Sequence, residues 1–220
     1  MMLSTILFDL DDTLHDKRAS LAKCGARLYA EHRLNQYANE VDFLRRFIEE
    51  NCIIQPKEQV FDHLAAEFGI DQTRTAQLKE AFDQTFQHDA TLFLGVMEAL
   101  EFLAGAGVSI GCVTNGRDFF QRNKIEALGI EPFLDAIVTS GGLGIKKPDH
   151  RIFHTALQQL GAVPKQTIFC GDSLNADLKP AHELGMTTIW KADEKNAPEY
   201  VNYVLPEFSD FQNLWQTITA

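Results

Sequence analysis

From Gly95 onward, short apolar runs alternate with helical patterns, and that alternation leaves the chain few architectures. Residues 108–113, 136–138, 167–170, 187–190 and 203–205 are apolar or β-branched runs of strand length. Residues 96–103, 119–128, 152–160, 176–184 and 211–218 carry helical spacing between and after them. Strands joined through helices pair in parallel and need covering on both faces. The stretch therefore predicts an α/β fold built on a mostly parallel sheet. Gly129, Gly161 and Gly185 stand where helices would end on a left-handed residue.

Residues 19–92 break the rhythm. Val41, Leu44 and Ile48 repeat at helical spacing, as do Val60, Leu64 and Phe68, then Leu78, Phe82 and Phe86, with Pro56 and Gly69 as punctuation. This predicts an α-helical bundle inserted after the first strand, with the Phe82/Phe86 stripe in its core. The expected domains are residues 1–18 with 93–220, and 19–92.

The net charge of −11 argues against a nucleic acid polymer as partner, because such binding needs a basic face. It also argues against an anionic membrane surface. No apolar stretch approaches a membrane span, and residues 1–10 lack the basic start of a secretory signal. The four cysteines show no CxxC spacing, which fits a reduced, cytoplasmic setting. His150 and His154 have the spacing of a helical metal pair but lack a companion glutamate and third ligand, so surface placement is expected.

The first apolar run, residues 5–8, stops on Asp9-Leu10-Asp11-Asp12-Thr13. On an extended backbone Asp9 and Asp11 would share a side, close enough to share a cation. A helix-loop-helix calcium loop is excluded, since its sixth and twelfth positions would be Leu14 and Ser20. An acidic turn capping the next helix stays open from this segment alone. Three further polar groups follow strand ends. They are Thr114-Asn115-Gly116, then Lys147-Pro148 beyond a glycine-rich loop, and Gly171-Asp172-Ser173 with Asp177. Ligands of open α/β sheets bind at that edge. The 141–144 segment is neither a dinucleotide fingerprint nor a P-loop.

On these residues the chain resembles the haloacid dehalogenase-like hydrolase superfamily. The DxDxT block starts at Asp9, Thr114 ends a strand, Lys147 precedes a proline, and GDxxxxD runs from Gly171 to Asp177. The resemblance implies a Rossmann-like core with a helical cap, and a branch similar to bacterial nucleotide and sugar-phosphate phosphatases. It implies Mg²⁺ held by the Asp9 carboxylate, the Asp11 carbonyl and the Asp172 carboxylate. Asp9 would be the nucleophile and Asp11 the acid and base. Thr114 and Asn115 would bind phosphate, Lys147 would supply fixed charge, and Asp177 with Ser173 would support them. Lys147 is chosen over Lys146 because the family lysine directly precedes proline. Related proteins often carry an acid where this chain has Gly142. In this fold the first strand separates those carrying Cys112 and Cys170 by roughly 10 Å, too far for a disulfide.

The expected activity is Mg²⁺-dependent hydrolysis of small phosphate monoesters, nucleoside monophosphates or sugar phosphates, through an aspartyl-phosphate. A phosphomutase keeps the same motifs and stays open, as does a non-catalytic phosphate-binding regulator. Asp11 counts against dehalogenation, whose leaving group needs no proton. Substrate specificity is expected in the cap and its entry, where His15, Lys17, Arg18, Arg45 and Arg46 are the polar candidates. The sequence sets no oligomeric state.

Overall fold

The computed structural model describes residues 3–53, 55–194 and 196–220. Strand β1 (Thr5–Phe8) is followed by helices α1 (Lys17–Glu31), α2 (Glu40–Cys52), α3 (Lys57–Phe68) and α4 (Gln72–Thr85). Next come α5 (Val96–Gly105), β2 (Ser109–Thr114), α6 (Asp118–Ala127), β3 (Ala136–Thr139), α7 (Ser140–Leu143), α8 (His150–Gln159) and β4 (Thr167–Gly171). A π-helical turn, Leu174–Leu178, leads into α9 (Lys179–Glu183), β5 (Thr187–Trp190), β6 (Tyr203–Val204) and α10 (Phe211–Thr219). The chain divides into two compact units, one of residues up to Asp16 with Leu92–Ala220, the other Lys17–Thr91. Among the described residues no helix is long and apolar enough to cross a membrane.

The first unit is an α/β, Rossmann-like layer structure. Its six strands run in the order β3-β2-β1-β4-β5-β6, and every neighbouring pair is parallel. Strand β1 is central and buried along its whole length, as a sheet covered on both faces requires. Its side chains alternate between the two cores. Leu7 joins Val113, Val138, Phe153 and Phe169 on one face. On the other, the Phe8 ring lies 6.2 Å from those of Phe208 and Phe211. Gly111 is required beside Leu7, because a β-carbon there would come within 2.7 Å of the Leu7 side chain. Phe8 stands between Cys112 and Cys170, and all four cysteines are free thiols.

The chain builds β2 and β3 on one side of β1, then crosses to build β4 and β5 on the other. The C-terminal ends of β1 and β4 thus form the topological switch point, where the loops diverge and leave a crevice.

The second unit is a helical bundle. Its core holds Leu21, Cys24 and Leu28 of α1, Phe43 and Phe47 of α2, Val60, Phe61 and Leu64 of α3, and Leu78 and Phe82 of α4. The Phe82 and Phe86 rings stack at 4.9 Å, within this core. Gly25 lets α1 approach α2 closely, since a β-carbon would lie 2.8 Å from Leu44. Asn39 and Asp71 cap α2 and α4, accepting from the Asp42 and Arg74 amides.

Two sequence expectations need correction, the buried face of α2 and the loop after β3, while the helices expected over 119–128 and 176–184 form and gain detail. In α2 the buried face is Phe43/Phe47; Leu44 and Ile48 lie at its margin and Val41 is 75% exposed. In α6, Phe119 is 70% exposed, and the buried face is Gln121, Lys124 and Ile125. Residues 176–184 are a π-turn followed by the short α9. The glycine-rich segment after β3 is a helical turn, α7, closed by Gly144 in the left-handed conformation.

Candidate active site

At the switch point, the Asp9 amide still bonds the Cys170 carbonyl at 2.9 Å, so Asp9 is fixed by the sheet itself. Its carboxylate is buried and accepts from Lys147 Nζ at 2.5 Å. The Thr13 hydroxyl lies 3.4 Å from its other oxygen. Lys147 also lies 2.7 Å from Asp177 Oδ1. Lys146 is exposed whereas Lys147 is buried. The Lys147 backbone is clamped by one side chain: Asn115 Oδ1 accepts from its amide at 2.9 Å, and Asn115 Nδ2 donates to its carbonyl at 3.1 Å.

The β4 edge supplies the other acids. The Ser173 side chain accepts from the Ala176 amide, and the Ser173 amide donates to Asp177 Oδ2 at 3.1 Å. This folds Asp177 back over the strand end. Only glycine fits beneath it, because a β-carbon on Gly171 would lie 2.7 Å from Asp177 Oδ2. Trp190 donates its indole N–H to the Asp172 carbonyl at 2.8 Å.

The Asp9, Asp172 and Asp177 carboxylates bring one oxygen each within 4.8 Å of one another. Burial pushes Asp9 up to about 8, with Asp177 and Asp172 adding to the rise against the opposing pull of Lys147. Burial likewise pushes Asp172 up to about 6, helped by Asp177 and Asp12. Burial would lower Lys147, but Asp9 and Asp177 outweigh it and hold the ammonium charged. Three carboxylates around one lysine leave excess negative charge among hard oxygen donors. That donor set fits a divalent cation such as Mg²⁺.

Asp11 keeps different company. The extended backbone ends at Phe8, and the chain turns on the Leu10 carbonyl, which accepts from the Leu14 and His15 amides at 3.0 and 2.9 Å. Asp9 and Asp11 therefore do not pair as on a strand. The Asp11 carboxylate contacts His15 Nδ1 at 2.7 Å, Lys124 Nζ at 2.5 Å and Gln121 Nε2 at 3.0 Å. Burial would raise its pKa, but Lys124 and His15 overcome that and hold the carboxyl well below the usual carboxylate range. Thr114 is buried, and its hydroxyl accepts from Gln121 Nε2 at 2.6 Å.

Asp9, Asp11, Thr114, Asn115, Lys147, Asp172, Ser173 and Asp177 thus gather at one sheet edge. His15 is fully buried against Asp11 and presents no surface to a substrate. Arg18 and Arg45 belong to the helical unit and are exposed; Arg45 faces Glu49 at 3.5 Å, and Arg46 pairs with Glu50 and Glu67 at 2.6 Å. His154 is exposed and His150 bonds Glu183 at 3.0 Å. A side chain at Gly142 would meet Asp118 Oδ1 at 2.9 Å, so that carboxylate occupies the space an acid there would need. Gln121 and Lys124 were not expected from the sequence. Their signal was spacing, since they share the i, i+3, i+4, i+7 face with Ile125 and Leu128.

Among known proteins, a glyceraldehyde 3-phosphate phosphatase of Methanocaldococcus jannaschii is 27% identical, covering 97% of this chain and 97% of its own. The same-named protein of Methanopyrus kandleri is 31% identical over 86% of this chain and 83% of its own. In fold, a putative haloacid dehalogenase-type hydrolase of Bacillus subtilis, solved bound to magnesium, superposes with a TM-score of 0.74. It covers 97% of this chain and 99% of that one at 24% identity. The family model for haloacid dehalogenase-like hydrolases matches residues 6–191. That span runs from within β1 to just beyond β5 and takes in the whole acidic edge, so the chain belongs to the haloacid dehalogenase-like hydrolase family.

Proposed function

We propose that the protein is a Mg²⁺-dependent phosphatase of small phosphate monoesters that works through an aspartyl-phosphate on Asp9. The observation carrying this reading is the setting of Asp9. It is a buried carboxylate at the sheet switch point, joined to Lys147 and two further acids, with a second, separately held aspartate two residues on.

Asp9, Asp172 and the Asp11 carbonyl would hold Mg²⁺, which when bound supplies the positive charge that lets an anionic nucleophile meet an anionic ester. Asp9 attacks phosphorus and displaces the alcohol, so one hard step becomes two easier ones. Lys147, fixed by Asn115 and Asp177, keeps a permanent charge beside the nucleophile and the phosphoryl oxygens. The Asn115 side-chain amide is committed to Lys147, so its contribution to phosphate is through that lysine and the backbone. Thr114 accepts from Gln121, which leaves its own hydrogen to donate to a phosphoryl oxygen. Asp11 takes a proton from the attacking water in the second step and returns it to the leaving oxygen in the next turnover. A clamped, ionised Asp11 is the form that the second step needs.

For substrate class, the support is the relatives named glyceraldehyde 3-phosphate phosphatase, which act on a small sugar phosphate. We read the helical unit Lys17–Thr91 as the family's cap, the element that selects among sugar phosphates and nucleoside monophosphates, with Arg18 and Arg45 as contacts to test. The experiment is a panel of phosphate esters assayed with Mg²⁺ and with EDTA, alongside Asp9→Asn. Small monoesters should turn over, EDTA should stop turnover, and Asp9→Asn should be folded and inactive. Activity in EDTA, or in Asp9→Asn, overturns the mechanism. Preference for a folded phosphoprotein overturns the substrate class alone.

A further inference from the structure

Helix α6 buries two polar side chains, Gln121 and Lys124, and the roles above use only the contact of Gln121 to Thr114. A buried ammonium and a buried amide survive only if fully partnered. Lys124 Nζ donates to Asp11 Oδ1 at 2.5 Å and to Gln121 Oε1 at 3.0 Å. An ammonium only donates, so it fixes which way the Gln121 amide faces. The Gln121 NH₂ group is thereby turned onto Asp11 Oδ2 at 3.0 Å, Thr114 Oγ1 at 2.6 Å and the Asn115 carbonyl at 3.3 Å. One side chain from α6 thus joins Asp11, at the end of β1, to Thr114, at the end of β2. With His15 Nδ1 on Oδ1 at 2.7 Å, both Asp11 oxygens are engaged.

Building on the phosphatase reading above, we propose that Gln121 and Lys124 are positioning residues that hold the Asp11 carboxylate as the base for breakdown of the aspartyl-phosphate. In that step a water oxygen bonds to phosphorus and the bond from phosphorus to the Asp9 oxygen breaks. The electron pair returns to Asp9 as carboxylate, the water's proton passes to Asp11, and inorganic phosphate leaves. The first step, attack by Asp9 on an activated aryl ester, hardly needs that proton. The two steps should therefore respond differently to loss of the clamp.

The test is rapid-quench kinetics with an activated aryl phosphate and Mg²⁺ on the wild type, Lys124→Met and Gln121→Met, with thermal melts of each. General base catalysis is worth ~10²–10⁴-fold, and loosening the base should cost part of that, about 10–100-fold, in the second step beyond any change in the first. The variants should release a burst of aryl alcohol approaching one per enzyme and accumulate phosphoenzyme. In an Asp11→Asn background, Lys124→Met should add less than about 2-fold, because both changes act through one carboxylate. Should Lys124→Met fail to fold, Gln121→Met, which removes no charge, carries the test through the ratio of the two steps, since its contact to Thr114 bears on phosphate in both and only the second needs the base. Equal slowing of both steps, additive losses with Asp11→Asn, or wild-type kinetics in both variants would overturn the proposal while leaving an active wild type to support the phosphatase. A wild type that forms no phosphoenzyme overturns both.

Discussion

Replacing Lys147 by Met in metal-free protein tests how the acidic edge is held together. The lysine, Asp9 and Asp177 side chains are 2%, 9% and 1% exposed, and the contacts are 2.5 and 2.7 Å. At such burial, solvent does little to screen the charges. Removing one partner of a buried ion pair costs about 3–5 kcal/mol, because the charge left behind stays desolvated. For a chain of this size, at ~2–4 °C per kcal/mol, the melting temperature in EDTA should fall by roughly 6–20 °C. The sign of the pH dependence follows from Asp9. Burial already holds its carboxyl up to about 8 with Lys147 present, and losing the lysine's opposing pull moves it higher. A carboxyl whose folded pKa lies above its unfolded value stabilises the fold at low pH and loses that contribution as pH rises. The deficit of Lys147→Met should therefore be larger at pH 9 than at pH 7. Differential scanning calorimetry in EDTA at the two pH values reads both effects. A fall of less than 2 °C, or a deficit that shrinks with rising pH, would refute the reasoning.

Gly171→Ala would push a β-carbon into Asp177, and overpacking of this kind costs ~1–3 kcal/mol. Its melting temperature should drop, and its stabilisation by added Mg²⁺ should be smaller than the wild type's. Phe47→Ala should cost about 3–5 kcal/mol by opening a cavity in the helical core, whereas Val41→Ser, at an exposed site, should stay within about 0.5 kcal/mol; denaturant unfolding checks the pair. Cys52 is exposed, while Cys24, Cys112 and Cys170 are buried, with burial pushing their thiols up. A thiol reagent should modify Cys52 quickly in native protein and the other three only after unfolding.

The parallel sheet and its acidic edge were readable because both follow from local pattern. Strand-length apolar runs ending on polar turns mark strand ends, and strand ends in such sheets are where side chains converge. What escaped depended on which residue faces what. In α2, Val41, Leu44 and Ile48 and the Phe43/Phe47 pair all have helical spacing, and the larger rings take the core. In α6, Gln121 and Lys124 share a face with Ile125 and Leu128, but what a buried amide and ammonium would pair with is set by tertiary structure, which brings Asp11 opposite them. The turn on the Leu10 carbonyl sends Asp9 and Asp11 to different partners, and nothing in the DxDxT spacing alone distinguishes that turn from a continuing strand. His15, two residues beyond that block's end at Thr13, is buried for the same reason.

A covalent phosphoryl group on Asp9 is the step on which the proposed mechanism turns, and the most direct measurement is to look for it. The protein is mixed with a small phosphate ester and Mg²⁺, quenched in acid during turnover, digested and analysed by mass spectrometry. One phosphoryl group should appear on the peptide that carries Asp9, and be absent from Asp9→Asn. Turnover with the phosphoryl group on another residue, or with none on the protein at any time in the first turnover, would contradict it.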